Sequence, residues 1–306
     1  MIKDMKVTVM QKIWICGANG RVGRKMTKIL KSQPVELLLT DMDDLDITVS
    51  RDVMEYANIN RPHFIVNCAG MTDLGQCGQN KEEAFKVNAL GARNLSIAAR
   101  MGKARLVQFS TDDVFDGNSR IPYTEFDTPA PLTVYGKSKL AGENFVREFC
   151  SRHIIIRSSW IFGEGSPYLE TILDMAQRGK TIQAAGDQFA SPTGAKELAE
   201  KAVELMYHGE DGLYHVTGRG ICSRYEFAKA AVSLLELDTQ TGIRTGARVV
   251  EVNSPEDRLS AMRPSYSALD NMMLRISGIE QLPEWQVMLE AFMERRKKRR
   301  EGRLVK

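Results

Sequence analysis

An apolar run, KIWIC (12–16), passes directly into GANGRVG (17–23), and this opens the amphipathic stretch RVGRKMTKILKS. Few folds accept a strand that ends on glycines spaced three apart and turns at once into a helix. Gly17 permits the tight turn, Gly20 lets a pyrophosphate approach the backbone, and Gly23 lets the helix pack closely on the sheet. The helix N-terminus then faces the phosphate. The spacing is GxxGxxG, one residue longer than GxGxxG, and alone it also fits a glycine-rich turn in a helical linker. The flanking strand and helix favour a dinucleotide loop, with Gly17, Asn19, Gly20, Arg21, Val22 and Gly23 as candidate cofactor contacts.

The alternation continues. VELLLT (35–40), HFIVNCAG (63–70), ARLVQFS (104–110) and HIIIRSSW (153–160) read as strands. VMEYANINR, residues 81–102 and Tyr135–Ser151 read as helices between them. Apolar strands separated by helices predict an α/β, doubly wound, parallel Rossmann-type sheet covered on both faces. The second half is less regular, with strands at 213–218 and 248–252 and three helical stretches. It predicts a smaller C-terminal α/β substrate lobe. The expected division is a dinucleotide-binding domain over 1–160, a mainly substrate-binding lobe over 161–294 with room to return elements to the first domain, and a basic tail over 295–306. The first ten residues read as a tail or an extra edge strand.

Composition excludes several classes. No apolar run approaches a membrane span, and a lysine and an aspartate interrupt any export signal at the start. The five cysteines and four histidines are scattered without a CxxC, so no metal site is expected, and reduced thiols in a cytoplasm are the natural reading. The tail RRKKRREGRLVK carries +7, so the chain's +3 less that +7 leaves a mildly acidic body at −4. The tail reads as a solvated, fraying helix end. It has no aromatic for base stacking, and no nucleic-acid or membrane partner is expected.

Asp41 ends the second strand, eighteen residues past Gly23. A carboxylate there suits the adenosine ribose hydroxyls and favours NAD(H) over NADP(H). Arg21 and Arg24, beside the loop, could instead meet a 2′-phosphate. Asp46 and Ile47 are placed to flank the adenine.

GANGRVG, NCAG, STDDVF (110–115) and YGKSK (135–139), in this order, resemble an extended short-chain dehydrogenase/reductase. STDDVFDGN, TPAPLTVYGKSKLAGE, IIIRSSWIFG, GDQFASPTG and RPSYSALD together resemble the dTDP-4-dehydrorhamnose reductase family over nearly the whole chain. The resemblance implies Thr111, Tyr135 and Lys139 as catalytic residues and Asn88 as support for a proton relay. It places Asn67, Cys68 and Ala69 at the nicotinamide end, beside Tyr135 and Lys139. Thr72, Asp113, Trp160, Gln188 and Arg263 would face the substrate. It also implies a nucleotide-sugar substrate and a homodimer.

The chemistry of one pair stands beside that resemblance. Tyr135 and Lys139 are four apart and share a helix face. Reducing a ketone needs a hydride on carbon and a proton on oxygen. A free tyrosine is a poor acid near neutral pH, and a lysine cation one turn away would lower its pKa. Thr111 would donate where negative charge develops.

Three departures from the family pattern occur, of which the first two face the substrate and the third reads as packing. Asp113 stands where the family has tyrosine. GMTDLGQCG keeps Thr72 but puts Met71, Gly75 and Gly78 at an aromatic, an aspartate and a glutamate position. Cys16 precedes the first glycine. The expected activity is NAD(P)H-dependent reduction of the 4-keto group of a nucleotide-linked deoxysugar, first dTDP-4-dehydro-L-rhamnose. The alternatives are a reductase or epimerase acting on another nucleotide sugar, or a non-catalytic dinucleotide-binding regulatory subunit.

Overall fold

A computed structural model describes residues 10–236, 246–254 and 263–304, with side chains up to 299. The expectation for the first nine residues lies outside the described part. The first half runs β1 (Gln11–Cys16), α1 (Arg21–Leu30), β2 (Val35–Thr40), α2 (Ser50–Asn60), β3 (Phe64–Asn67), α3 (Leu74–Gln79), α4 (Lys81–Phe85), α5 (Gly91–Gly102), β4 (Arg105–Thr111), α6 (Val134–Phe149) and β5 (His153–Ser158). The second half runs β6 (Ile161–Phe162), α7 (Pro167–Gln177), β7 (Ile182–Ala185), β8 (Phe189–Ala190), β9 (Thr193–Gly194), α8 (Ala195–His208), β10 (Gly212–His215), β11 (Cys222–Ser223), α9 (Arg224–Glu236), β12 (Val249–Val252), α10 (Met272–Ile276) and α11 (Trp285–Leu304).

Six strands form one parallel sheet in the order β10-β5-β4-β3-β1-β2. The chain moves outward from β1 to β2, then crosses back to β3 and continues the other way. That reversal makes a crevice at the carboxyl ends of β1 and β3, where Cys16 is level with Asn67. Alternate side chains of the strands feed two cores. Ile13, Ile15, Val66, Val107 and Ile154 pack under Met26 and Leu30 of α1 and Leu198 and Ala202 of α8. Trp14, Cys16, Ile65, Leu106 and Ile155 pack under Val53 of α2 and Leu95 and Ala99 of α5. Each fully buried aliphatic contributes ~1.5–3 kcal/mol of transfer free energy, so the sheet is held firmly behind its carboxyl edge.

Several sequence expectations are refined. The single helix over 81–102 is α4 and α5 joined by a π-helical turn, Lys86–Leu90, a distortion frequent at functional sites. The strand expected over 63–70 ends at Asn67, and GMTDLGQCG, read as loop, contains α3, whose N-cap Asp73 accepts from the Gln76 N–H at 2.8 Å. β10 leaves the second half and joins the main sheet beside β5, while α8 packs on α1. The strand at 248–252 pairs with β7, which the sequence did not reveal. α11 continues through the basic tail as far as Leu304, and Arg295, Arg296 and Arg299 pair with Glu197, Glu170 and Glu164. No helix among the described residues is long and apolar enough to cross a membrane.

Candidate active site

The glycine loop forms the floor at the β1 end. Gly17 has φ +72°, and a Cβ there would stand 2.5 Å from the Ala69 backbone nitrogen. Only glycine lets β1 and β3 close on each other at this point. A Cβ on Gly23 would collide with the Gly17 carbonyl oxygen. α1 starts at Gly20 with no side-chain cap and no acid in its first turn. These bare amides and the glycine cradle fit a pyrophosphate, so the residues suit a dinucleotide. Asn19 donates its N–H to Asp41 Oδ2 at 2.8 Å, which fixes the carboxylate at the ribose end of the loop. A groove of 510 Å³ continues there, lined by Arg24 and Lys28 on α1, by Lys31 just past its end and by Thr40 and Asp44 opposite.

Not every candidate on this side offers its side chain outward. Arg21 reaches across to the second half, donating to the Ile161 and Gly165 carbonyls, both at 3.2 Å. Val22 packs on the first core. Ile47 is buried with its side chain against Gly91, and Asp46 accepts from the Thr48 N–H at 2.8 Å. Asn67 is turned into the protein. Its amide donates to Gln108 Oε1 at 2.8 Å and accepts from the Ala69 N–H at 3.1 Å, bracing the loop rather than facing a ring. Burial pushes the Cys68 thiol up to about 12, so it is a neutral wall.

The reactive group is assembled from β4 and α6. Thr133 caps α6, its hydroxyl accepting from the Gly136 N–H at 2.9 Å. Gly136 lets the helix settle on the Asp113 carbonyl, where a Cβ would clash. This seats Tyr135 against the tip of β4, with Thr111 beside its phenol. One turn on, Lys139 is buried, donates to the Phe109 carbonyl at 2.6 Å and faces Gly70. Asn88, in the π turn, clamps the loop after β3. It donates to the Met71 carbonyl and the Ser138 hydroxyl and accepts from the Met71 N–H, each at 2.9 Å.

The proton equilibria differ from the sequence expectation. The Tyr135 phenol is raised above its ordinary value, not lowered. Removal from water dominates, the Asp113 and Asp112 carboxylates add to it, and Thr111 and Arg263 only partly oppose. Lys139 does not set the phenol's pKa here. Burial takes its own value down to about 8, with Glu143 pulling it back. The correction has a simple cause: helix spacing reports who shares a face, whereas desolvation depends on what covers that face.

On the substrate side, Trp160 holds φ +39°, and the Arg224 guanidinium lies 3.5 Å from its ring centroid and 4.6 Å from that of Tyr168. Arg224 was missed in the sequence. A cation opening α9, against the helix dipole, was the available signal. Burial lowers its pKa to about 9. Gln188 reaches it through its carbonyl, which accepts the Arg224 N–H at 3.2 Å. Arg263 stands 3.8 Å from Asp113. Thr72 is exposed beyond β3. The structure therefore brings Thr111, Asp113, Tyr135, Arg224 and Arg263 together, with Lys139 behind the phenol. No cluster suited to a metal ion occurs among the described residues.

The sequence pattern of the RmlD substrate binding domain matches residues 10–298. The spore coat polysaccharide biosynthesis protein SpsK of Bacillus subtilis is 33% identical over 288 residues, covering 94% of this chain and 98% of that protein. A dTDP-4-dehydrorhamnose reductase structure from Clostridium acetobutylicum superposes with TM-score 0.88 at 36% identity, over 94% of this chain and 100% of that one. The dTDP-4-dehydrorhamnose reductase of Bacillus anthracis in complex with NADP gives TM-score 0.87 at 34% identity, over 94% and 99%.

Proposed function

The chain belongs to the RmlD, or dTDP-4-dehydrorhamnose reductase, family of NAD(P)-dependent oxidoreductases, and we propose that it reduces the 4-keto group of a dTDP-linked 6-deoxyhexose. The first substrate in this reading is dTDP-4-dehydro-L-rhamnose, giving dTDP-L-rhamnose. The observation that carries it is the meeting of Thr111 and Tyr135 where α6 settles on the tip of β4, with Lys139 buried one turn behind. The reading includes a cytoplasmic location and a homodimer.

Gly17, Gly20 and the bare start of α1 would hold the pyrophosphate, and Asp41 the adenosine ribose. Bound NAD(P)H supplies the hydride for the carbonyl carbon. Thr111 holds the carbonyl oxygen by its hydroxyl, and Tyr135 Oη gives that oxygen its proton. The raised pKa suits this direction: the phenol keeps its proton through neutral pH and yields it only when the oxygen has gained alkoxide character. The Lys139 ammonium then stands beside the phenolate left behind. Arg224, made rigid between two rings, and Arg263 supply positive charge for the diphosphate. Both NADH and NADPH are accommodated in this reading, since Arg24, Lys28 and Lys31 balance Asp41 and Asp44 around the ribose groove.

The test is NADH and NADPH oxidation with dTDP-4-dehydro-6-deoxyhexose. Turnover that disappears in Tyr135→Phe while NADPH binding persists supports the proposal. Cofactor binding without turnover on that substrate overturns it.

A further inference from the structure

One polar group in the site has no task in the chemistry above. Asp113 is 1% exposed, and its Oδ2 lacks any hydrogen-bond partner among the described residues. The Arg263 Nη1 stands at 3.8 Å from that oxygen, beyond hydrogen-bond range. The surroundings are already committed. The Asp113 N–H donates to Thr111 Oγ1 at 3.2 Å. The neighbouring Asp112 accepts from the Thr111, Ser159 and Ser267 hydroxyls at 3.2, 2.7 and 2.5 Å. A buried carboxylate oxygen without a donor is costly, and such a group persists where a ligand completes it.

Its position limits what that ligand group can be. Asp113 lies two residues beyond Thr111, donates its N–H to the Thr111 hydroxyl at 3.2 Å, and sets its backbone carbonyl against Gly136, next to Tyr135. Thr111 and Tyr135 meet at the carbonyl oxygen in the reductase reading, on which this inference rests. Asp113 therefore reaches only substituents on the reacting carbon and its two ring neighbours. In a 6-deoxy-4-ketohexose, C5 carries a methyl group and the ring oxygen, neither of which donates. C3 carries a hydroxyl.

We propose that Asp113 is a specificity-determining residue whose free carboxylate oxygen accepts a hydrogen bond from the C3 hydroxyl, so that the site selects 3-hydroxylated 4-ketosugars over their 3-deoxy counterparts. The discrimination comes from the analogue that lacks the donor. It leaves the Asp113 Oδ2 buried without a hydrogen bond in the bound state, whereas the hydroxylated sugar completes it.

The experiment compares kcat/KM for dTDP-4-dehydro-6-deoxyhexose and its 3-deoxy analogue, with NADPH, in the native enzyme, Asp113→Asn and Asp113→Ala. The native enzyme should favour the hydroxylated sugar by on the order of 10²- to 10⁴-fold. Asp113→Ala should reduce the ratio to about tenfold or less, and Asp113→Asn, whose amide oxygen still accepts, should fall between. An unchanged ratio in Asp113→Ala overturns the assignment while leaving the reductase reading intact. If neither sugar turns over, the reductase reading fails instead. The ratio of calorimetric Kd values for dTDP-6-deoxyhexose and its 3-deoxy form, in the same three proteins, then decides on Asp113 by the same criterion. Thermal melts and NADPH binding of each variant establish that the comparison is between folded proteins.

Discussion

The Lys139 ammonium donates to the Phe109 carbonyl at 2.6 Å, two residues before Thr111 on the same strand. This bond ties α6 to β4 and carries the cation into the protein, close to Gly70 and away from bulk water. The cost of that placement is visible in the lysine's pKa, which burial lowers to about 8 from the ordinary 10.5.

The lowered pKa predicts an alkaline signature in stability. Between pH 8 and 10.5 the unfolded chain still binds the Lys139 proton and the folded chain has released it. Stability therefore rises with pH across that window, and below it the cost of burying the charged lysine is full and constant. Relative to Lys139→Met, the native protein should gain at most about 3 kcal/mol between pH 8 and 10.5. Urea unfolding of both proteins across that range measures it, and a constant difference would contradict the assignment.

Behind the site, Arg157 donates to both oxygens of Glu143, at 2.9 and 2.7 Å, and Ser110 adds a 2.5 Å bond to the same carboxylate. Both charged groups are fully buried. Removing Glu143 strands the buried Arg157, so Glu143→Ala should lose about 3–5 kcal/mol, whereas Glu143 keeps Arg147 at 2.8 Å when Arg157 is removed, so Arg157→Ala should lose less. The double variant should lose less than the sum of the two. Additive losses in denaturant melts would show that the pair does not act as a unit.

The glycines of the loop should separate by phenotype. Gly23→Ala drives a methyl into the Gly17 carbonyl and should destabilise the apo-protein by about 2 kcal/mol or more. On Gly20 a Cβ would stand 3.1 Å from that same oxygen, a milder contact. Gly20→Ala should therefore stay folded while its NADPH Kd rises more than tenfold, on the order of the penalty for blocking a close backbone approach. Melting temperatures and NADPH titrations report the two effects separately.

Arg224 is clamped between Trp160 and Tyr168. Arg224→Lys keeps the charge but loses the planar stack, so KM for the sugar nucleotide should rise roughly ten- to a hundredfold, with a smaller change in kcat. Steady-state kinetics at saturating NADPH test this, and a loss confined to kcat would place Arg224 elsewhere in the mechanism.

Much of the molecule was determined locally and could be read from the chain. Strands such as KIWIC and HIIIRS follow from apolar runs bounded by turns, the loop GANGRVG from its closely spaced glycines between strand and helix, and the shared face of Tyr135 and Lys139 from one helical turn. Only the tertiary structure decided the rest. It sent β10 back beside β5, buried Ile47 under Gly91, turned Asn67 inward, and set Arg224 on Trp160 across more than sixty residues. It also reversed the expected direction of the Tyr135 pKa, because Asp113 and the loss of water outweigh any cation on the same helix. Spacing along a chain fixes which side chains share a face. Desolvation and charge depend on what distant segments bring to that face, and no local pattern records it.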